Sequence, residues 1–331
     1  MLLERDKTTK PPDGVRDSLW KKFKAPDIRK KAEKAWTKIE KEKVSFVDYR
    51  QDDFPLLLNH TQDGPLLLFF RGKPFPRTDK IVSIVGTRKP TKDALVFTKT
   101  IVESIQHVNP IIISGLAEGI DVGAHQAALD AGLQSYACLA HGVNQCYPAF
   151  HRKIKAKIEE QGGCLTEHPL DSVLHPDYFL RRNRIIAGLS HATIVVASRT
   201  KGGAMVTGRL AFDYNRAVFA VPGSPNYPTH LRCNQLIKKN IAQLLDKPSD
   251  FLTAMGWETQ AASTQNSQSK LFQQLSHQQK SLLKHLDPSP KHLDLIALKA
   301  ECPVGEAASL LFELELTGLV RPVAGKQFKL V

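Results

Sequence analysis

The residues best suited to chemistry lie in short loops, each following an apolar run. Gly86-Thr87-Arg88-Lys89-Pro90 closes the first of these runs. A glycine there permits close backbone approach, a threonine hydroxyl can bond a phosphate, and an arginine adds a bidentate cation. The stretch is neither a G-x-G-x-x-G turn nor a Walker A loop, so a tight turn explains its glycine equally well. A second loop reads Ser114-Gly115-Leu116-Ala117-Glu118-Gly119-Ile120-Asp121. Its glycines let backbone amides face the same edge, and Asp121 beside a helix start reads as a cap rather than a base. A third loop, 142–148, ends in Tyr147-Pro148, with packing as the simplest role for the ring. Lys201-Gly202-Gly203-Ala204-Met205-Val206-Thr207 offers a second backbone nest ahead of a helix.

The most informative segment is Pro176-Asp177-Tyr178-Phe179-Leu180-Arg181-Arg182-Asn183-Arg184-Ile185-Ile186-Ala187-Gly188-Leu189-Ser190. As a helix it puts Arg181 and Arg184 on one face and Ile185, Ile186 and Leu189 on the core side. An aromatic beside several arginines suits a single-stranded nucleic acid, whose bases stack on rings while guanidinium groups take the phosphates. The competing reading is a buried arginine–carboxylate network that holds a sheet together. The sequence contains no Gly-x-Ser-x-Gly elbow, no paired carboxylates at a suggestive spacing, no His-x-x-x-His and no Walker pair. Catalysis would therefore rest on isolated residues, and binding is the simpler expectation, with no cofactor or metal.

The charge agrees with that expectation. A formal net charge of +13 over 331 residues favours polyanionic partners, either nucleic acid or an anionic membrane surface. No apolar run approaches the ~18–20 residues that span a bilayer, and the first ten residues are charged where a signal peptide is apolar, so a cytoplasmic, membrane-free protein is expected. The five cysteines show no Cys-x-x-Cys pair and no matching histidine spacing, which predicts reduced, mostly buried thiols.

The loops need a scaffold, and the apolar runs supply one. Short Val/Ile-rich stretches at 81–85, 111–114, 135–140, 164–167, 193–197 and 218–221 alternate with amphipathic stretches at 91–107, 121–131, 150–160, 178–189 and 207–214. This alternation predicts βαβ units in a doubly wound, mostly parallel α/β sheet, with ligands beyond the carboxyl ends of the strands. Residues 1–47 form a basic helical segment, whose lysines and arginines serve either as a DNA-contacting arm or as a solvated face. Residues 48–258 form the Rossmann-like domain, with 49–72 as a lead-in packed on it. The Ser/Gln-rich stretch 259–275 reads as a polar linker, and 276–331 as three short helices with a terminal hairpin, a winged helix. Its last helix, 304–316, carries Glu306, Glu313 and Glu315 and no basic residue, which favours protein contact over duplex binding.

Taken together, these blocks resemble the DNA-processing protein A (DprA/Smf) family from about residue 48 to the C-terminus. The resemblance is carried by Ile84-Val85-Gly86-Thr87-Arg88, by 114–121 with Ala124-His125, by 142–148, and by Glu167-His168-Pro169. It continues through Phe179 with 182–190, 201–207, Val221-Pro222-Gly223-Ser224 and Cys233-Asn234-Gln235-Leu236-Ile237. It implies an extended Rossmann fold, homodimerisation, single-stranded DNA binding in a basic pocket, and loading of the RecA recombinase in natural transformation. Carried over residue by residue, the pocket uses Gly86, Thr87, Arg88, Ser114, Lys201 and Thr207, with Phe179, Arg182, Asn183 and Arg184 as its aromatic and basic wall. The chain departs from the family pattern in three places. Gly202-Gly203-Ala204 replaces Ser-Gly-Ser and removes two hydroxyl donors, His151 replaces an asparagine, and Asn240 replaces a glycine. The rival reading is a nucleotide-handling Rossmann enzyme resembling nucleoside monophosphate hydrolases, whose Pro-Gly-Gly-x-Gly-Thr loop and following glutamate are not matched at 201–207.

Overall fold

The computed structural model describes residues 16–23, 25–170, 172–198, 202–224, 231–257, 275–287, 289, 291–316, 319–323 and 326–330. Lys201 and residues 259–274 of the expected linker lie outside them. The contacts divide the chain into two units, Met1–Glu258 and Thr259–Val331.

In the first unit the chain runs α1 (Asp17–Phe23), α2 (Pro26–Lys41), β1 (Ser45–Asp48), α3 (Leu56–Asn59), β2 (Leu67–Gly72), β3 (Ile81–Val85), α4 (Lys92–Ile105) and β4 (Ile111–Ser114). It continues through α5 (Ile120–Asp130), β5 (Ser135–Cys138), α6 (Arg152–Gln161), β6 (Gly163–Thr166), α7 (Pro176–Leu189), β7 (Ala192–Val195) and α8 (Gly203–Asp213). β8 (Ala217–Ala220), α9 (Leu231–Lys238), β9 (Gln243–Leu244) and α10 (Pro248–Met255) complete it. The strands form one sheet in the order β1-β2-β6-β5-β4-β3-β7-β8-β9. All pairings from β6 to β9 are parallel, while β2 joins β6 and β1 joins β2 antiparallel.

Every residue of β3 is buried, because helices cover both faces of the sheet. Ile81 and Val85 point into a core shared with α7, α8 and α9, where Ile185, Ile186, Met205 and Leu236 pack. Val82 and Ile84 point the other way, into a core shared with α4, α5 and α10, where Ile101, Ala124 and Phe251 pack. A third cluster joins Ile39 of α2 and Ile158 of α6 to Ala137 and Cys164 of the sheet, so the basic N-terminal helix is docked on this unit. Cys138, Cys164 and Cys233 are buried and unpaired, and burial pushes the Cys138 thiol up to about 12. Asn240 sits at φ 53, the left-handed backbone that asparagine tolerates better than other non-glycine residues.

The lead-in is more than packing. β1 and β2 extend the sheet, with Phe70 of β2 opposite Leu165 of β6. The second unit consists of α11 (His277–Leu283), β10 (Lys291–His292), α12 (Leu293–Lys299), α13 (Val304–Leu316), β11 (Val320–Val323) and β12 (Gln327–Leu330). Its strands pair in the order β10-β12-β11 around a core that includes Leu282, Ile296, Leu311 and Val320, a winged helix.

Candidate nucleic-acid interface

The strand order reverses at β3, which has β4 on one side and β7 on the other. In an open α/β sheet the crevice at such a switch point is where loops diverge and ligands enter. Here it is a cleft of about 800 Å³, walled by the loop after β3, the first turn of α8 and one face of α7.

The wall from α7 is a helical stripe. Phe179, Arg182, Asn183 and Ile186 line the cleft at i, i+3, i+4 and i+7, the spacing that shares one face. This corrects the expected presentation of Arg181 and Arg184. Arg181 is exposed away from that stripe, and Arg184 donates from Nη2 to Glu167 Oε2 at 2.5 Å, with both side chains mostly buried. Arg184 thus belongs to an arginine–carboxylate pair at the end of β6, and the structure does not bring it into the cleft.

Arg182 forms the cleft floor. It is 4 % exposed, and its Nη1 donates to the Cys138 carbonyl at 2.6 Å. Burial pushes the guanidinium pKa down, and the nearby Asp121 carboxylate opposes that shift. Gly115 makes the room, since a Cβ built there would stand 2.0 Å from Arg182 Nη1. Asp121 is not the helix cap that was expected. Its carboxylate turns back within its own loop and accepts from the Gly115 amide at 3.2 Å. Burial pushes its pKa up, while Arg182 and backbone amides pull it down.

Above this floor lies an aromatic and cationic lip. The exposed Arg88 guanidinium stands over the Phe179 ring at 5.6 Å, and Tyr147 meets Phe179 edge-on at a centroid distance of 5.6 Å. Tyr147 packs on Phe179 and is also 47 % exposed, so part of its ring faces the cleft. Its position in a loop beyond a strand end was the available signal. Gly119, at φ +85, brings the second loop against the first, where a Cβ would come 2.3 Å from the Thr87 carbonyl.

The remaining expected residues divide. Gly86, Thr87 and Thr207 line the cleft; the Thr87 hydroxyl accepts from the Lys89 amide at 3.3 Å, and the Thr207 hydroxyl donates to the Gly203 carbonyl at 3.3 Å. Asn183 Nδ2 donates to the same carbonyl, fixing the start of α8 against α7. Ser114 is fully buried and its hydroxyl donates to the Ile84 carbonyl at 2.6 Å, tying β4 to β3, so it is not brought into the cleft. Lys201 lies outside the described residues. His151 is buried and donates from Nδ1 to the Leu116 carbonyl at 3.0 Å, a structural bond between two loops.

Comparison with known proteins places this architecture. The family model for DNA recombination-mediator protein A matches residues 45–256, the first unit from β1 through α10 without its N-terminal helices. The chain belongs to that family. The DprA winged helix domain model matches residues 263–326. Protein Smf of Escherichia coli is 32 % identical over 306 residues, covering 91 % of this chain and 82 % of that protein. The crystal structure of DNA processing protein A from Streptococcus pneumoniae superposes with a TM-score of 0.64 at 29 % identity, over 72 % of this chain and 83 % of that one. DNA processing protein A from Helicobacter pylori, described for its single-stranded DNA binding mode, superposes with a TM-score of 0.57 at 26 % identity, over 64 % of this chain and 95 % of that one. Among the described residues no helix is long and apolar enough to cross a membrane.

Proposed function

We propose that this chain binds single-stranded DNA in the cleft between α7, α8 and the loop after β3, without sequence preference and without catalysing a reaction. The observation that carries the reading is the lip, where Arg88, Phe179 and Tyr147 meet at a strand-end crevice over the Arg182 floor. Rings offer a stacking surface to any base, and the exposed Arg88 pairs with phosphates, which all sequences share. Gly202 and Ala204 border the cleft where the family usually carries hydroxyls.

Family membership supports the wider role. The protein acts in the cytoplasm as a homodimer that protects incoming single strands and loads the RecA recombinase in transformation and recombination. Pairing two clefts would raise the effective affinity for one strand. A nucleotide-hydrolysing role is less well supported, because Asp121, the carboxylate lining the cleft among the described residues, is buried and already accepts from the Gly115 amide, with the Arg182 cation nearby. In the winged helix, Glu306 and Glu313 accept from Gln278 and Gln279, which leaves an acidic α13 suited to a protein partner.

The reading is tested with Phe179→Ala and a labelled oligo-dT in fluorescence anisotropy. Loss of base stacking is expected to cost ~1–3 kcal/mol of binding, and the salt dependence should stay near that of the wild type because a ring releases no counterions. Wild-type affinity in the variant would remove Phe179 from the site and the stacking platform with it.

A further inference from the structure

Four lysines of the basic helix α2 share one side. Lys30, Lys34, Lys38 and Lys41 recur at three- and four-residue spacing over about 16 Å of helix, so they form a single stripe. Glu33 and Glu40 fall on a neighbouring face, where Trp36 Nε1 donates to Glu40 at 2.8 Å. Ile39, on the far side, is buried against the sheet unit, so the stripe faces outward. Among the described residues, no carboxylate lies within ion-pair reach of Lys30, Lys34 or Lys41. Lys38 approaches Glu42 at 3.9 Å. Asp27 pairs with Lys31 beside the stripe and Glu42 approaches Lys38 at its end, which leaves Lys30, Lys34 and Lys41 as like charges with no offsetting carboxylate among the described residues.

Two further observations give the stripe a direction. Lys34, Thr37, Lys38, Lys41 and Glu42 border a shallow groove of about 400 Å³ along the helix. At the end of that groove, Glu42 receives Arg71 Nη2 at 3.3 Å and Asn144 Nδ2 at 3.4 Å. Asn144 belongs to the 142–148 loop, which three residues later presents Tyr147 to the cleft. One short loop therefore connects the aromatic lip to the lysine groove.

We infer that a single DNA strand leaving the cleft past Tyr147 continues along α2, with its phosphates on Lys34, Lys38 and Lys41. Along the helix axis Lys34 and Lys38 are about 6 Å apart and Lys38 and Lys41 about 4.5 Å, separations that long lysine side chains can match to successive phosphates of an extended strand. The contact is electrostatic and blind to sequence, and it serves only strands long enough to fill both parts of the path. This inference rests on the cleft being a single-strand site.

The test compares the full chain with a Lys34→Gln/Lys38→Gln/Lys41→Gln variant on oligo-dT of about 6 and about 20 nucleotides, lengths that bracket the site sizes of single-strand binders. Glutamine is a good helix former, and circular dichroism should show unchanged helicity. On the long strand the variant is expected to bind about tenfold more weakly, with a log–log salt slope shallower by about 2, as the loss of three phosphate contacts implies. On the short strand it should match the wild type. Equal binding of the long strand by both proteins would overturn the inference. So would a variant that keeps the long strand but loses wild-type binding to phosphatidylserine vesicles, since the stripe would then be a membrane contact. Arg88→Ala on the short strand reads the cleft separately: unchanged short-strand binding there would refute the cleft assignment, whatever the stripe variant does.

Discussion

Gly115→Ala is expected to destabilise the protein by ~2–4 kcal/mol in urea or thermal unfolding, although it adds a single methyl group. The backbone at Gly115 lies outside the left-handed region, so alanine meets no conformational penalty there. The cost is steric and electrostatic. The new Cβ would occupy the space of the Arg182 guanidinium, with Nη1, Cζ and Nη2 at 2.0, 2.4 and 2.5 Å. A displaced Arg182 gives up its bond to the Cys138 carbonyl and leaves buried Asp121 without its nearby cation. An unpaired buried charge is among the most damaging single changes a fold can suffer. A double-mutant cycle makes the mechanism specific: Arg182→Met alone should cost a similar amount, and adding Gly115→Ala to it should cost little more. Additive costs would show that Gly115 matters for some reason other than room for Arg182.

The second large effect is a loss of stability in mild acid that depends on His125. Its ring is fully buried on α5, with Nδ1 at 2.7 Å from the Ser135 hydroxyl, which itself donates to the Ile112 carbonyl. With that hydroxyl proton committed, Nδ1 carries the proton of the neutral ring and Nε2 is a buried lone pair without a partner. Burial first, then the positive charges of Arg182 and His151, push the His125 pKa from its ordinary 6.5 down to about 3. Between those values the unfolded chain holds a proton that the folded chain does not. Stability is therefore full above pH 6.5 and falls as the pH drops toward 3, at up to ~1.4 kcal/mol per unit from this group. His141, His168 and His191, also pushed down by burial, act in the same direction. Asp121, pushed up by burial, acts in the opposite direction above its ordinary 3.8. His125→Asn keeps a donor toward Ser135 and removes the titration, so its unfolding free energy between pH 6.5 and 4 should fall less steeply than that of the wild type. Parallel pH profiles would show that His125 does not carry the effect.

The central strands were legible because β3, β4, β7 and β8 are almost wholly buried on both faces and read as short, mostly apolar runs alternating with amphipathic stretches. β2 carries the run Leu67-Leu68-Phe69-Phe70, which has no period to separate a strand from a packed coil, and β9 has only two residues. The sheet's outer edges were missed for that reason. The cleft loops were legible from the rule that ligands gather beyond strand ends. Individual side chains in them were less so. Helical periodicity groups residues by face but does not say what stands opposite, so Arg184 could not be assigned to Glu167, which arrives from the end of β6. Ser114 stands in a loop-like motif, yet its hydroxyl is committed to Ile84 because β4 happens to lie beside β3. Asp121 shows the same limit: its type and position suggest a helix cap, and only the fold shows its carboxylate bonded back to the Gly115 amide beside buried Arg182.

The central claim is that the cleft holds single-stranded DNA through Arg88 and its neighbours, and a salt titration of oligo-dT binding tests it most directly. With about 3–5 phosphates engaged, the wild type should show a log–log slope of roughly −2 to −4. Arg88→Ala should bind more weakly at every salt concentration, with the slope shallower by about 0.7, the contribution of one phosphate on a single strand. A wild-type protein that ignores oligo-dT, or an Arg88→Ala variant with unchanged affinity and slope, would contradict the account.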